Sequence, residues 1–202
     1  MKKMERMILF LVIAAICPIL GMIGGWWIFY SQYPGASIPY TVALGGGLGI
    51  LIDALFIKKW MAKAYQALLW IWVLIYLFYS VGIYGFFMGV PVPNMLLGIP
   101  AGILFASRLC AHQTPTDEVP EKARNCAWFT TLILLFACIL SAVIALNDPY
   151  TAGNLEGMFA LPFKITLGMI WGLIIIGGTV ILLVQWWLTH TVVQRTYQWL
   201  DA

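Results

Sequence analysis

Apolar residues run through this chain in six long blocks with few polar interruptions, and the length of the blocks decides what they are. They cover about 7–30, 38–57, 65–87, 92–108, 124–146 and 165–190. A helix that crosses the hydrocarbon core of a bilayer needs roughly 17–25 apolar residues, so each block predicts a spanning helix. The fourth is the shortest and is interrupted by Pro91, Pro93 and Pro100; a five-span reading would make it re-entrant. The expected fold class is an all-α integral membrane protein, a bundle of six transmembrane helices forming a single domain over residues 1–202.

The positive charges test that count. Lys2, Lys3 and Arg6 precede span 1, Lys58, Lys59 and Lys63 separate spans 2 and 3, Arg108, Lys122 and Arg124 separate spans 4 and 5, and Arg195 follows span 6. Six crossings put these ten cations on one side and leave Lys164 alone on the other. Basic residues collect on the cytoplasmic side, so both the N- and C-termini are expected to be cytoplasmic, in a multi-pass protein of the cell membrane. The first block has the basic start of a secretory signal, but its apolar run is longer than an h-region, and it reads as a retained span.

Composition agrees. Of 202 residues, 62% are apolar and 9% charged, against about 25% charged in a soluble domain. So few charges cannot cover a water-facing surface, which excludes a soluble globular enzyme, a disordered tail and a disulfide scaffold. The net charge of +3 is dispersed, whereas a nucleic-acid binder needs a clustered basic face, so no nucleic-acid partner is expected. Ten Trp, nine Tyr and eleven Phe suit two lipid–water boundaries. The four Cys have no CxxC spacing; Cys110 and Cys126 fall at cytoplasmic helix ends and Cys17 and Cys138 within the membrane, so all four are expected to be free thiols.

Two linkers have useful length. In 109–123, Thr116, Asp117 and Glu118 read as a helix start, with acids near the positive end of the dipole. In the outer segment 147–164, Asn147 and Pro149 stop span 5. The last segment, 165–200, would be about 54 Å long as one helix, so its end must protrude or bend. Val193, Tyr197 and Leu200 recur at helical spacing and would lay the tail on the inner interface or on a partner.

Burial of oil does not drive helix association in lipid; close backbone approach through small residues does. Gly45 and Gly49 in span 2, Gly98 and Gly102 with Asn94 in span 4, and Gly168, Gly172, Gly177 and Gly178 in span 6 make these the expected inner helices. Span 1 has Gly21, Gly24 and Gly25. Span 3, with Trp70, Trp72, Tyr76, Phe78 and Tyr79, is bulky all round and is expected to face lipid on much of its surface.

Few residues offer chemistry. Asp53 is the intramembrane charge. Such a group is costly unless paired or hydrated, so it is either an ion pair with Lys58, Arg6 or Arg108 or a proton or cation site. Asn94 sits among the prolines of span 4, and interrupted helices build transporter sites. The outer loop brings Asp148, Tyr150, Thr151, Asn154 and Glu156 within nine residues, enough oxygens for a cation or polar solute under the apolar lid Met158-Phe159-Ala160-Leu161. With Asn94 and Trp171 they form the expected ligand-binding set: Asn94, Asp148, Tyr150, Asn154, Glu156 and Trp171. Gln185 would bond across helices. Cys110, His112 and Cys126 have no recognised zinc spacing, no span carries the paired His that haem needs, and the HExxH, P-loop, paired-aspartate and rhomboid-like Ser–His patterns are absent. No cofactor, metal or catalytic residue is assigned.

Three functions remain. The first is a solute-binding or transport subunit with an outward-facing polar site under the 147–164 loop, its ligand an unknown small solute. In size, span number and topology the chain resembles the substrate-binding subunits of vitamin transporters of the energy-coupling-factor class; the likeness is architectural and no residue is carried over from it. It implies partners, since the chain has no nucleotide-binding domain. The second is a non-catalytic structural or assembly subunit, with a protein partner at the cytoplasmic face or a homo-oligomer and with the tail after Thr189 as docking element. The third is a lipid-active intramembrane enzyme.

Overall fold

A computed structural model of the chain describes residues 3–32, 38–160 and 162–201, with side chains described for all of these except 28–32, 38, 158 and 159. Among the described residues there is no strand. Six helical stretches are long and apolar enough to cross a membrane: Lys3–Trp27, Pro39–Gln66, Leu69–Phe86, Val92–Ala111, Val119–Asn147 and Leu167–Asp201. They coincide with the six apolar blocks. The helices outrun the blocks where charged or amphipathic residues continue the helical ladder past the apolar run, as at Lys58–Lys63 and after His190.

The chain divides into two compact units, Met1–Ala67 and Leu68–Ala202. In the first, α1 (Lys3–Ala14) and α2 (Ile16–Gln32) are successive parts of one apolar rod, and α3 (Ile38–Lys63) ends in a 3-10 turn at Ala64–Gln66. The ladder runs through the α1–α2 junction: Ala15 N donates to Leu11 O at 3.3 Å and Ile19 N to Ala15 O at 3.2 Å. The interruption has a cause four residues on. Pro18 has no N–H to give to the Ala14 carbonyl, and a missing rung loosens the helix at that level.

The α2–α3 pair is packed backbone to backbone. A Cβ on Gly21 would collide with the Gly45 carbonyl, one on Gly25 with the Thr41 carbonyl, and one on Gly49 with the Cys17 carbonyl and the Pro18 nitrogen. The pairs 25:41, 21:45 and 17:49 run in opposite senses, so the helices are antiparallel and in register at four-residue steps. Glycine is required at these positions because backbone cannot move aside as a side chain can. Gly24 and Gly47 face open space, so of the three glycines noted in span 1 only Gly21 and Gly25 join this contact.

The second unit contains α4 (Leu69–Phe86), a 3-10 segment Val92–Leu97 running into α5 (Gly98–Ala111), α6 (Val119–Asn147), α7 (Thr151–Phe159), α8 (Leu167–Gly172), a π turn at Leu173–Gly177, and α9 (Gly178–Asp201). The prolines of span 4 leave it helical throughout, but its first six residues wind as the tighter 3-10 form. α4 closes with Gly89 at φ 83°, and the Gly89 carbonyl accepts the Ser141 hydroxyl of α6. α6 begins at Val119, with Glu118 at its cap position making no side-chain capping bond; Glu118 instead pairs with Lys122 at 2.8 Å. It ends at Asn147, as the sequence signals.

α5, α6 and α9 meet along a stripe of small and medium side chains. Ala106, Leu109, Val119, Ala123, Val193 and Tyr197 form its apolar core. This corrects the expectation for the tail. Val193 and Tyr197 are buried, and the Tyr197 hydroxyl donates to the Thr114 carbonyl at 2.6 Å. The Val193–Tyr197 face of the segment after Thr189 therefore completes its own unit. A second correction concerns the glycines of span 6. Methyl groups on Gly172 and Gly178 would meet nothing within 4 Å, and one on Gly177 would reach only Leu173 of its own helix. α9 packs instead through Gln185, Thr189, Val193 and Tyr197, all buried and four residues apart. Polar side chains outrank glycine here: a Gln or Thr turned to lipid costs more than a glycine left there.

Candidate functional site

The interior of the second unit is polar where the small residues of α5 let α9 approach. Asn94, Gly98 and Gly102 lie at four-residue spacing on the 3-10 segment and α5. A Cβ on Gly98 would collide with Thr189 Oγ1 and crowd both terminal atoms of Gln185, and one on Gly102 would press on the Val192 side chain. The absence of side chains at 98 and 102 brings the Gln185 amide against the α5 backbone. Gln185 and Thr189 are fully buried, and Thr130 and Asn94 are 1% and 2% exposed.

The hydrogen bonds form a short ladder across four helices. Asn94 Nδ2 donates to the Ser80 carbonyl and the Ser80 hydroxyl, both at 3.0 Å. A carbonyl only accepts, so the Asn94 nitrogen must face α4 and its oxygen must face away. Gln185 Nε2 approaches Tyr76 OH at 3.5 Å. Thr130 Oγ1 donates to Thr189 Oγ1 at 3.2 Å and also lies 3.1 Å from the Ala127 carbonyl. Two acceptors are left over: Asn94 Oδ1 and Gln185 Oε1 are buried and have no hydrogen-bond partner. An unsatisfied buried polar atom costs about 1–3 kcal/mol. Each of these two carbonyl oxygens keeps its lone pairs free for a hydrogen-bond donor. Tyr76 is the one titratable side chain bonded into this ladder.

Tyr76 was expected among the lipid-facing aromatics of span 3. It faces inward instead, 5.7 Å from the Phe129 ring centroid, while Trp70 and Phe86 of the same helix are exposed. On the far side of Gln185, Trp186 stacks on His190 at 5.1 Å with an interplanar angle of 7°, and its edge meets Trp128 at 6.2 Å.

The outer-loop residues have local tasks. Asp148 is exposed and Oδ1 accepts from Tyr150 N at 2.9 Å, turning the chain into α7. Tyr150, Asn154 and Trp171 are exposed. Glu156 is half-buried and Oε1 accepts from Ile165 N at 2.5 Å, tying α7 to the start of the last span. No hydrogen bond joins Asn94 to any of these five; the structure brings Asn94 to Ser80 and leaves the loop oxygens apart from it. Of the expected lid, Leu161 and the side chains of Met158 and Phe159 lie outside the described residues, and Ala160 is exposed with φ 47°.

Asp53 is buried in the first unit, and neither carboxylate oxygen has a hydrogen-bond partner. The expected pairing within that unit is not made, since Arg6 and Lys58 are exposed. All four cysteines are free thiols, and among the described residues no group of three His, Cys, Asp or Glu side chains is placed to hold a metal ion. Ser80, Thr130 and Thr189 were not singled out from the sequence. A lone hydroxyl in an apolar span is a weak signal; the four-residue repeat from Gln185 to Tyr197 points to Thr189, and no sequence signal points to Ser80 or Thr130. Comparison with known protein families, characterised proteins and solved structures finds no match.

Proposed function

We propose that the chain is a multi-pass protein of the cell membrane, with both termini cytoplasmic, that binds a small solute rich in hydrogen-bond donors within the polar interior of its second unit. One observation carries this reading: Asn94 Oδ1 and Gln185 Oε1 are buried acceptors without donors, next to an irregular helix start of the kind found beside binding cavities. Hydrogen-bonding groups kept unsatisfied at a cost in stability are a mark of function rather than of packing. The polar loop over 147–164 stands at the outer end of the same helices and would serve entry.

The test uses the purified full chain in mild detergent. Ammonium, primary amines, amides and polyols are compared by their effect on the melting temperature. One class raises it in the wild type and fails to do so in Asn94→Leu and Gln185→Leu. A wild type that no donor class stabilises, or variants stabilised as much as the wild type, would refute the reading and leave the ladder as helix glue in an assembly subunit. Reporter fusions at residues 60 and 115 test the orientation, and both must report the cell interior.

A further inference from the structure

The two units carry their charges differently. In the first, the pairs 25:41, 21:45 and 17:49 set α2 antiparallel to α3, and α1 continues the same rod against α3. The start of α1 and the end of α3 therefore share one end of the unit. That end carries Lys3 and Arg6 from α1 and Lys58, Lys59 and Lys63 from α3, all five exposed. The acids of the described residues in this unit, Glu5 and Asp53, are only 4% and 7% exposed, so neither offers a surface carboxylate beside the cations. In the second unit, Arg108, Lys122, Arg124 and Arg195 are accompanied by the exposed acids Asp117, Glu118, Glu121 and Asp201, and Lys122 is paired with Glu118 at 2.8 Å.

Helix electrostatics do not account for the first arrangement. A cation suits the last turn of α3, where Lys63 stands, but Lys3 and Arg6 occupy the opening turns of α1, where the helix dipole disfavours positive charge. The charge that balances these five cations lies outside the unit, and the neighbouring aromatics set its depth. Phe56, Lys59, Trp60 and Lys63 follow the spacing of one helix side. The Phe56 and Trp60 rings stack at 5.8 Å with an interplanar angle of 18°, and both stay partly exposed. A Trp at the end of an apolar span sits at headgroup level, and the long Lys and Arg stems carry their charges out along it into the polar layer. The negative groups always present at that depth are lipid phosphates, and basic clusters of this size directly beyond a span bind anionic lipid. We propose that the exposed basic end of the α1–α3 pair binds the headgroups of anionic phospholipids. This rests on the reading of these helices as membrane spans and not on the solute site of the second unit.

The lipid retained by the full chain tests this. The chain is equilibrated in detergent micelles with equal parts of phosphatidylglycerol and phosphatidylcholine, recovered, and its bound lipid assayed. The wild type is expected to retain phosphatidylglycerol severalfold over phosphatidylcholine, and high salt is expected to lower that ratio, since exposed charges are screened. Lys59→Gln with Lys63→Gln should lower the ratio severalfold, whereas Lys122→Gln with Arg124→Gln, which removes the same charge from the second unit, should leave it unchanged. A wild type with no preference overturns the proposal, as would a patch that takes an acidic protein instead of lipid. So do equal losses in the two double variants, or a preference that high salt does not reduce. Resistance to alkaline carbonate extraction from vesicles separates the two readings. An inserted chain without lipid preference refutes this proposal alone, and an extracted chain refutes the spans and the proposal with them.

Discussion

Thr130 of α6 and Thr189 of α9, 59 residues apart in the chain, meet hydroxyl to hydroxyl at 3.2 Å in the interior of the second unit. Both side chains are buried, and each would otherwise bring a polar atom into an apolar contact. Hydrogen bonds between membrane helices are modest, because the unfolded chain in lipid also finds partners. A double-mutant cycle with Thr130→Val and Thr189→Val should therefore give a coupling of about 0.6 kcal/mol, and no more than ~1.7 kcal/mol. Reversible unfolding in mixed detergent micelles measures it. Because Thr130 also reaches the Ala127 carbonyl, it keeps a partner when Thr189 is replaced, whereas Thr130→Val leaves the buried Thr189 hydroxyl without one, so Thr130→Val should be the costlier single change.

Gly98 separates packing from propensity. A methyl at 98 meets the Thr189 hydroxyl and the Gln185 amide, so Gly98→Ala should destabilise by about 1–3 kcal/mol, as overpacked sites do. Gly172→Ala and Gly178→Ala add a methyl to open space; they should be neutral or stabilise by up to about 1 kcal/mol through helix propensity. Melting temperatures of the three variants decide it, and equal effects at 98 and 178 would show that α5 and α9 are not in this register.

The α2–α3 pair makes a sharper contrast, since the obstacle there is backbone. Gly45→Ala should loosen the antiparallel pair, while Gly47→Ala two residues away should be silent. Disulfide trapping between cysteines introduced in place of Met22 and Gly46, whose side-chain positions meet across the pair, reports it directly, with yield falling in the Gly45→Ala background and not in Gly47→Ala.

Tyr197 tests the tail. Tyr197→Phe removes the bond to the Thr114 carbonyl and should cost about 1 kcal/mol. Tyr197→Ala also empties a core position and should cost about 3–5 kcal/mol. A chain ending at Thr189 should fail to accumulate in the membrane. A truncated chain as stable as the full one would show that the tail is dispensable to the fold.

What could be read from the residues alone follows from the range of the forces involved. The six spans were legible because hydropathy is a local sum over some twenty positions. The Gly45–Gly49 and Gly98–Gly102 stripes were legible as sites of close approach, but their partners were not, since Gly21 facing Gly45 and Thr189 facing Gly98 are matters of register between distant segments. Span 6 misled because four glycines outnumber one Gln. The energetic order is the reverse: turning Gln185 and Thr189 inward sets the face of the helix, and Gly172 and Gly178 are left on the outside. Tyr197 showed its helical spacing in the sequence, but not that its counterpart was Thr114 of the same chain. The loop oxygens from Asp148 to Glu156 looked like a ligand set because they are close in sequence. Coiled into α7, they spread around a short helix and serve its ends.

The π turn at Leu173–Gly177 makes the last helix tolerant of a change in length at one place. Each residue of an α-helix advances the face by about 100°, so a deletion anywhere along Gln185 to Tyr197 would swing half of the inward stripe toward lipid. A turn that already holds one residue more than an α turn can give one up: removing an isoleucine from Ile174–Ile176 would tighten it to ordinary pitch and leave Ile170 and Gln185 facing as before. Natural variation in the length of this span belongs at that step, and a one-residue deletion scan of the segment would reveal it as a narrow window of survivors.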